Sequence, residues 1–214
     1  MHILFDLDGT LVDSSTGIFR SLEFAFRKMG KKVPPIQELR SFIGPPLGIS
    51  FQPYLPLNEP EVIEQAIAFF LERYQETGLY ECEVYPGFPE ILGTLRDNGH
   101  TLGVATAKSE PLAKRLIHHL GLQSYFHHID GSKSENSPSD KAALLNRIIE
   151  RETLNSTETI MVGDRKYDMA GARANDLLGI GVLWGFGSEA ELNEAGAKCY
   201  IAYPHELPGA IPTL

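Results

Sequence analysis

Hydrophobic and polar positions alternate in two different ways along the chain. Between residues 15 and 83, apolar residues such as Ile18 and Leu22 recur at intervals of three and four, a spacing that predicts amphipathic helices. From residue 85 onward, short apolar runs alternate with helical stretches. Such alternation predicts a parallel sheet with helices on both faces. An apolar run at residues 3–7 adds one strand at the start of the chain.

The bounds of the predicted elements follow from these runs and from capping residues. In the helical block, a helix through residues 18–29 is followed by two short pieces and by a long helix from Asn58 to about Gly78. After the block, strands are predicted at 102–106, 128–131, 159–163 and 180–183 and from 199, with helices near 89–97, 111–120, 140–151 and 167–175. Ser188 and Glu191 have the spacing of a capping box at the start of a further helix.

The helical block interrupts an otherwise continuous α/β pattern, which predicts two domains. We expect residues 1–14 and 84–214 to form a Rossmann-like, doubly wound parallel-sheet core. Residues 15–83 are expected to form an all-helical cap domain, inserted after the first strand. Hinges are predicted near residues 13–15 and 83–87, where the chain passes from one domain to the other.

Composition limits the classes of function. The 214 residues are 43% hydrophobic and 22% charged, as in ordinary globular proteins. The formal net charge of −9 argues against a nucleic-acid polymer or an anionic membrane surface as the main partner, although local cations can still bind a small anion. Two cysteines, Cys82 and Cys199, do not make a disulfide framework. Without a signal peptide or an apolar run of about 18 residues, the expected location is the cytoplasm.

Two acidic residues end the first predicted strand. Asp6 lies within the apolar run and Asp8 follows two positions later, so both side chains point to the same side of the strand end. Adjacent carboxylates repel each other unless a cation lies between them or one of them holds a proton. The pair therefore indicates a divalent metal site or an acid/base pair. A turn formed by Asp8 and Gly9 is the simpler alternative, but it does not explain an acid inside a buried run.

The run Asp6-Leu7-Asp8-Gly9-Thr10 resembles the first motif of the haloacid dehalogenase-like (HAD) phosphatases, in the branch similar to phosphoglycolate phosphatase. The resemblance extends over essentially the whole chain and implies the same core with an inserted helical cap. It also implies that Asp6 is the nucleophile and forms an aspartyl phosphate. Asp8 is then expected to protonate the leaving alcohol and later to deprotonate water. Gly9 and Thr10 are expected to bind the substrate.

Two further residues are expected to bind the phosphoryl group. Thr106 ends a predicted strand, and the peptide groups after it are predicted to open a helix that cradles an anion. The resemblance implies that its hydroxyl holds a phosphate oxygen, and a strand cap is the alternative. Lys141 lies in the first turn of a predicted helix, where a cation is unfavourable unless an anion is near. It is the preferred motif lysine, and Lys133, nearer the preceding strand, is the competing assignment.

A second acidic pair follows the strand predicted at 159–163. Asp164 comes directly after this strand, and Asp168 follows around the first turn of a helix. Mg²⁺ prefers oxygen ligands and needs only one or two carboxylates when a phosphate completes its coordination. Helix capping by the two acids is the alternative. We expect Mg²⁺ as cofactor, held by a group of acidic residues from both pairs, namely Asp6, Asp8, Asp164 and Asp168.

The helical block and the edge of the crevice supply the remaining candidates for substrate binding. Arg40 can pair with a second anionic group on the substrate, and an exposed helix charge is the alternative. Gly44 lies in a turn where it lets backbone approach closely. Lys108 is a candidate cation two residues after Thr106, and Ala107 between them is a further candidate.

Together these residues predict a magnesium-dependent phosphatase, similar to phosphoglycolate phosphatase, that hydrolyses a small phosphorylated metabolite. A 5′-nucleotidase acting on nucleoside monophosphates is the main alternative. A sugar-phosphate mutase is less favoured, because the mutases of this superfamily usually carry Val where this chain has Thr10. A non-catalytic binding protein of the same fold belongs to a different class, and the complete set of motif residues argues against it. We expect a monomer or a homodimer.

Overall fold

The computed structural model describes residues 1–56, 60–133 and 140–211. Its strands are β1 (His2–Phe5), β2 (Val12–Asp13), β3 (Glu83–Val84), β4 (Thr101–Ser109), β5 (His128–Ser132), β6 (Thr159–Gly163), β7 (Leu178–Val182) and β8 (Cys199–Ile201). Its α-helices are α1 (Ser15–Lys28), α2 (Ile36–Leu39), α3 (Leu47–Phe51), α4 (Pro60–Tyr74), α5 (Phe88–Asp97), α6 (Glu110–His119), α7 (Lys141–Glu152), α8 (Lys166–Ala174), α9 (Glu189–Ala195) and α10 (Leu207–Ala210). Among these residues no helix is both long and apolar enough to cross a membrane.

Six of the strands form one parallel sheet in the order β5-β4-β1-β6-β7-β8. β1 lies in the centre, with His2 beside Thr101 of β4 on one edge and beside Thr159 of β6 on the other. The order reverses between β1 and β6, because the chain first builds outward through β4 and β5 and then returns. The carboxyl ends of the strands at such a point form a crevice that is suited to a ligand. The predicted doubly wound α/β fold is confirmed.

Burial explains why the central strand is apolar. Ile3, Leu4 and Phe5 have no exposed surface, since helices cover both faces of the sheet. On one face, Leu4 shares a hydrophobic cluster with Leu145 of α7. On the other face, the ring of Phe5 packs edge to face on Phe88 of α5, with ring centroids 6.4 Å apart. Asp6 follows Phe5 directly, and it is therefore the first polar residue at the end of this strand that borders the crevice.

Helices α1 to α4 form the block that precedes the second strand of the sheet. Their interior is aromatic, and the ring of Phe26 in α1 lies between 5.6 and 6.2 Å from the rings of Phe42, Phe51 and Tyr54. Packing of this kind gives the block a hydrophobic centre that the helical spacing predicted. The division of the chain into a core and a cap domain stays a prediction.

Two short strands that the hydrophobic pattern did not predict connect this block to the rest of the chain. β2 and β3 pair antiparallel, with Val12 opposite Val84 and Asp13 opposite Glu83. Each strand has two residues, which is too short for a periodic pattern to appear. The two connections predicted as hinges are therefore held side by side by backbone hydrogen bonds.

Two elements end three or more residues away from their predicted ends. α4 ends at Tyr74 rather than near Gly78, where a separate 3₁₀ turn lies. β4 continues past its predicted end to Ser109, which pairs with Ser132 of β5 after a shift of register. The predicted start of α4 at Asn58 lies outside the described residues.

The capping box predicted at the start of α9 forms only in part. The Ser188 hydroxyl accepts a hydrogen bond from the backbone amide of Glu191 at 3.1 Å, as expected. The Glu191 carboxylate instead accepts from the side chain of Arg165 and from the backbone amide of Lys166, each at 2.9 Å. Tertiary partners on the neighbouring helix thus replace the local hydrogen bond, and they hold the loop after β6 against α9.

Candidate active site

The first aspartate stands at the carboxyl end of the central strand. The backbone amide of Asp6 donates a hydrogen bond to the carbonyl of Val162 at 2.9 Å, which continues the pairing of β1 with β6 by one residue. Its side chain lines a cavity beyond the strand end together with Asp8 and Thr106. The topology therefore brings the predicted nucleophile and both predicted partners to one place.

Lys141, in the first turn of α7, contacts two of the acidic residues. Its Nζ lies 3.0 Å from Oδ1 of Asp6 and 2.7 Å from Oδ1 of Asp168, and it donates to the carbonyl of Ala105 at 2.7 Å. The competing candidate, Lys133, is exposed. The geometry thus favours Lys141 as the lysine that faces the nucleophile, and the carboxylates explain why a cation is tolerated at this helix end.

Three aspartates from distant parts of the chain form a buried acidic group. Asp6, Asp164 and Asp168 each offer an oxygen, and the three oxygens lie within 4.8 Å of one another. Within the described part of the chain this is the group of side chains whose spacing suits a metal ion. Lys141 supplies one positive charge against three carboxylates. Asp8, which was predicted in the same group, is not part of it, and its carboxylate faces Lys108 instead.

Burial and mutual repulsion shift the pKa values of this group. Burial, followed by the carboxylates of Asp168 and Asp8, raises the pKa of Asp6 to about 6, although Lys141 acts in the opposite direction. Burial and then the same kind of repulsion, from Asp168 and Asp6, raise the pKa of Asp164 well above its ordinary value. Burial lowers the pKa of Lys141, but the carboxylates of Asp168 and Asp6 more than reverse this effect. The group therefore carries excess negative charge that a bound cation can relieve.

Hydrogen bonds and close backbone contacts fix the orientation of Asp164. Its Oδ2 accepts from the backbone amide of Phe186 at 2.8 Å, and its Oδ1 accepts from the hydroxyl of Thr10 at 3.4 Å. Gly9 adopts a left-handed backbone with φ of +85°, and a Cβ there would stand 2.3 Å from Oδ2 of Asp164. Gly9 and Thr10, predicted as substrate contacts, thus lie against the acidic group.

Asp8 belongs to a second polar group, which includes a residue of the helical block. Its Oδ2 lies 2.8 Å from Nζ of Lys108, and the same nitrogen donates to the hydroxyl of Tyr74 at 2.6 Å. Tyr74 is the last residue of α4. The other carboxylate oxygen of Asp8, Oδ1, is buried and has no hydrogen-bond partner among the described residues. A buried oxygen of this kind is suited to a proton of a bound ligand or water.

Thr106 is buried at the floor of the same cavity. Its hydroxyl accepts a hydrogen bond from the backbone amide of Lys108 at 3.3 Å. The prediction that the peptide groups after Thr106 open a helix is wrong, because β4 continues to Ser109 and α6 begins only at Glu110. The pairing of Ser109 with β5 extends the strand by three residues. An anion at this position would therefore meet the hydroxyl rather than a helix N-terminus.

The cavity has a polar floor and an apolar roof. Its volume is about 60 Å³. The floor consists of residues that follow β1 and of residues at the end of β4, namely Asp6, Asp8, Thr106, Ala107 and Lys108. The roof is supplied by the helical block, from Ile18, from residues 42–47 and from Phe70 and Tyr74.

The two predicted substrate contacts of the helical block lie in different places. Gly44 lines the cavity with φ of +106°, and a Cβ there would stand 2.8 Å from a guanidinium nitrogen of Arg165. Arg165 also donates to the carbonyl of Ile43, so this turn of the helical block contacts the residue that follows β6 and Asp164. Arg40 does not line the cavity, and its guanidinium carbon lies 5.6 Å from the centre of the Phe186 ring.

Sequence reasoning missed the loop after β7 and the tyrosine of α4. A Cβ at Gly185 would stand 2.4 Å from Cβ of Asp164, and one at Gly187 would stand 1.9 Å from its backbone oxygen. The signal was present, since two glycines two positions apart directly after a strand are typical of close backbone approach. Tyr74 gave no such signal, because it occupies an ordinary apolar position of an amphipathic helix.

The doubly wound sheet has two aspartates after its first strand, a further acidic pair after β6 and a lysine in the first turn of α7. Together these features define a hydrolase of the haloacid dehalogenase type. In agreement, residues 3–182 match the sequence model of the family described as "Haloacid dehalogenase-like hydrolase". The chain belongs to this family. The predicted family, its phosphoglycolate phosphatase-like branch and the predicted phosphatase class are confirmed.

Individual relatives agree with this assignment. Over 201 residues the chain is 41% identical to a 5′-nucleotidase from Pseudomonas aeruginosa, which covers 94% of this chain and 90% of that protein. It is 28% identical over 217 residues to a phosphoglycolate phosphatase from Neisseria meningitidis, covering 99% and 91% of the two proteins. Among solved structures, a predicted phosphatase from Clostridium acetobutylicum superimposes with a TM-score of 0.93 at 38% identity, covering 100% of this chain and 98% of that one.

Proposed function

We propose that this protein is a magnesium-dependent phosphatase that hydrolyses a small phosphate monoester through an aspartyl phosphate on Asp6. The main observation in support of this proposal is the position of Asp6 at the floor of the cavity between the sheet and the helical block. Lys141 contacts it at 3.0 Å, and Asp8 lines the same cavity. A nucleophile, a cation and a second carboxylate that can exchange protons thus surround one small volume.

The acidic group fits Mg²⁺ as the cofactor. Asp6, Asp164 and Asp168 are oxygen donors within 4.8 Å of one another, and oxygen is the donor that Mg²⁺ prefers. Three buried carboxylates against the one charge of Lys141 leave a net negative charge that a divalent cation compensates. When bound, Mg²⁺ would stabilise the negative charge that develops on the phosphoryl oxygens.

In the first half of the proposed reaction, a carboxylate oxygen of Asp6 attacks phosphorus and the bond from phosphorus to the leaving oxygen breaks. Asp8 gives its proton to the leaving oxygen, so that a neutral alcohol departs. Lys141 holds Asp6 in position through the contact with Oδ1 and contributes positive charge beside the phosphoryl group. The Thr106 hydroxyl lines the floor, where it can donate to a phosphoryl oxygen.

In the second half, water attacks the phosphorus of the aspartyl phosphate while Asp8 takes up its proton. The bond between phosphorus and the Asp6 oxygen then breaks, which releases phosphate and restores the Asp6 carboxylate. Asp8 is suited to both proton transfers because its buried Oδ1 has no hydrogen-bond partner among the described residues.

Two classes of substrate are supported by relatives. The phosphoglycolate phosphatases among them support a short phosphorylated acid, and the 5′-nucleotidase, at the higher identity of 41%, supports a nucleoside monophosphate. Both are small phosphate monoesters. We therefore propose a phosphatase of this branch for this chain. A panel of substrates can decide which alcohol leaves the phosphate.

The test is release of phosphate from phenyl phosphate, with Mg²⁺ and with a chelator, by the purified wild-type protein. We expect turnover that depends on Mg²⁺ and that falls by at least about 1,000-fold in the variant Asp6→Asn. Asp97→Asn, which changes an exposed aspartate of α5, is the matched control and should behave as wild type. A substantial residual activity of Asp6→Asn would show that another group is the nucleophile.

A panel of 2-phosphoglycolate, nucleoside 5′-monophosphates and sugar phosphates then assigns the leaving group. Transfer of phosphate to a sugar phosphate instead of water would favour the mutase. If the protein releases no phosphate from any ester in the presence of Mg²⁺, the proposed activity is wrong and the binding-protein alternative takes its place.

A further inference from the structure

We propose that the cavity selects phosphate monoesters whose leaving alcohol is uncharged and disfavours those whose alcohol carries a carboxylate. This inference rests on the proposed function and concerns the leaving-group side of the same site. Two observations support it: the charges of the side chains that line the cavity, and the partners of Lys108, which is the cation among the described lining residues.

Among the described lining residues, the roof of the cavity has no charged side chain to pair with an anion. The helical block contributes the side chains of Ile18, Phe42, Leu47 and Phe70, all buried or nearly so and all apolar. Its polar contribution to the described lining is the hydroxyl of Tyr74, which already accepts a hydrogen bond from Lys108 at 2.6 Å. A leaving group that extends from the phosphoryl site toward the roof therefore meets hydrocarbon and one engaged hydroxyl.

The lysine at the floor is also engaged. Among the described lining residues the cation is Lys108, and its Nζ lies 2.8 Å from Oδ2 of Asp8. The side chain of Lys108 is 4% exposed and that of Asp8 is 15% exposed, so this ion pair is largely shielded from water. A substrate carboxylate would have to compete with Asp8 for the lysine, and it would bring a further negative charge next to Asp6 and Asp8.

The other lysines and arginines of the helical block do not line the cavity, and most of them have partners elsewhere. Arg20 and Arg73 bind Glu81, Lys28 binds Glu72, and Arg27 binds Glu23. Arg40 lies over the ring of Phe186. The segments that the structure does not describe, residues 57–59, 134–139 and 212–214, contain no lysine or arginine in their sequence. A compensating cation for the leaving group is therefore not available from these segments.

The physical consequence is selectivity against charge. Moving a carboxylate from water into an apolar enclosure is unfavourable unless a cation or several hydrogen bonds compensate it. An alkyl, aryl or nucleoside alcohol loses no comparable solvation, and its apolar part gains contact with the roof. The cavity volume of about 60 Å³ is below the roughly 150 Å³ of an apolar cavity that binds benzene, so the roof has to move outward for a phenyl or a nucleoside group.

The experiment compares matched pairs that differ in one carboxylate. In the wild-type protein with Mg²⁺, turnover of phenyl phosphate is compared with that of 4-carboxyphenyl phosphate. Competitive inhibition by propylphosphonate is compared with inhibition by 3-phosphonopropionate. We expect kcat/KM to be at least about tenfold lower for the carboxylated ester, and the inhibition constant to be at least about tenfold higher for the carboxylated phosphonate.

A variant that adds a cation to the roof provides the converse test. Leu47→Lys places an ammonium group on the apolar side of the cavity, and Leu47→Met is the matched control of similar length without charge. We expect Leu47→Lys to reduce the preference for the uncharged ester at least about threefold relative to Leu47→Met. If the lysine variant does not fold, the comparison of the two esters and of the two phosphonates with the wild-type protein still tests the inference.

The outcomes separate this inference from the proposed function. If phenyl phosphate is hydrolysed through Asp6 but its carboxylated counterpart is used equally well or better, the leaving-group inference is overturned and the phosphatase stands. If neither ester releases phosphate with Mg²⁺, both are overturned. A tenfold preference for the uncharged member in turnover and in inhibition supports the inference.

Discussion

The ammonium nitrogen of Lys141 lies 3.0 Å from the carboxylate of Asp6, although 135 positions separate the two residues in the chain. Asp6 follows the central strand and Lys141 opens a helix packed on one face of the sheet. The contact exists because the strand order places β1 beside β4 and β6, so that elements from both halves of the chain meet at one edge. The same contact gives a direct test of the lysine assignment.

Replacing Lys141 with Met should abolish most activity and destabilise the protein. The change leaves the buried carboxylates of Asp6 and Asp168 without the ammonium group that contacts them, so we expect a loss of about 3–5 kcal/mol in the free energy of unfolding. We also expect kcat to fall by at least about 100-fold at saturating Mg²⁺. Urea unfolding and steady-state kinetics measure the two effects. Lys133→Met, at an exposed position, is the control. If Lys133→Met lost more activity than Lys141→Met, Lys133 would be the motif lysine.

The metal-free protein should lose stability as the pH rises, and Asp164→Asn should reduce that loss. The pKa of Asp164 is raised in the folded state, so between its ordinary value and the raised one the folded protein binds more protons than the unfolded chain. The free energy of unfolding therefore falls as pH increases through this interval. Asp6, with its pKa raised to about 6, contributes with the same sign.

Thermal unfolding in a chelator measures this dependence. As the pH rises from about 4, the ordinary pKa of an aspartate, toward neutrality, Asp164→Asn should gain melting temperature relative to wild type, because the amide cannot ionise. Millimolar Mg²⁺ should raise the melting temperature of the wild type and have a much smaller effect on the variant. A constant difference between the two proteins over this pH range would contradict the proposed repulsion.

Removing the hydroxyl of Tyr74 should impair proton transfer without removing a group that reacts. Tyr74→Phe deletes the acceptor of the 2.6 Å hydrogen bond from Lys108, and that lysine contacts Asp8. We expect kcat to fall between about threefold and about tenfold, with an altered pH profile. Tyr54→Phe deletes another hydroxyl of the helical block, bound to Glu38 at 2.9 Å and outside the cavity lining, and should leave both unchanged. Identical profiles for the two variants would exclude a positioning role.

Adding a methyl group at Gly9 should damage the acidic group. Alanine at φ of +85° costs about 1–3 kcal/mol in backbone strain, and its Cβ would overlap Oδ2 of Asp164. We expect lower stability and a large loss of Mg²⁺-dependent turnover. Gly93→Ala, in the interior of α5 with open space around the added carbon, should instead gain about 0.5–1 kcal/mol. Denaturant titration and phosphate release distinguish the two variants.

The local pattern of the sequence determined which elements form and which residues end them. Apolar runs of strand length set the buried strands, and helical spacing set the block after β1, because burial of one face repeats with the period of the element. Asp6, Asp8 and Asp164 could be selected as site candidates because a carboxylate directly after a buried strand has few structural reasons to be there. Resemblance to a family supplied the roles that the pattern alone left open.

Only the tertiary structure decided which of these residues touch. It separated Asp8 from the acidic group and placed it on Lys108, it brought Lys141 rather than Lys133 to Asp6, and it set Tyr74 in the cavity. Contacts of this kind depend on strand order, on register and on how the helical block rests on the sheet. None of these leaves a periodic trace in the chain, because each is fixed by packing between residues that are far apart in sequence.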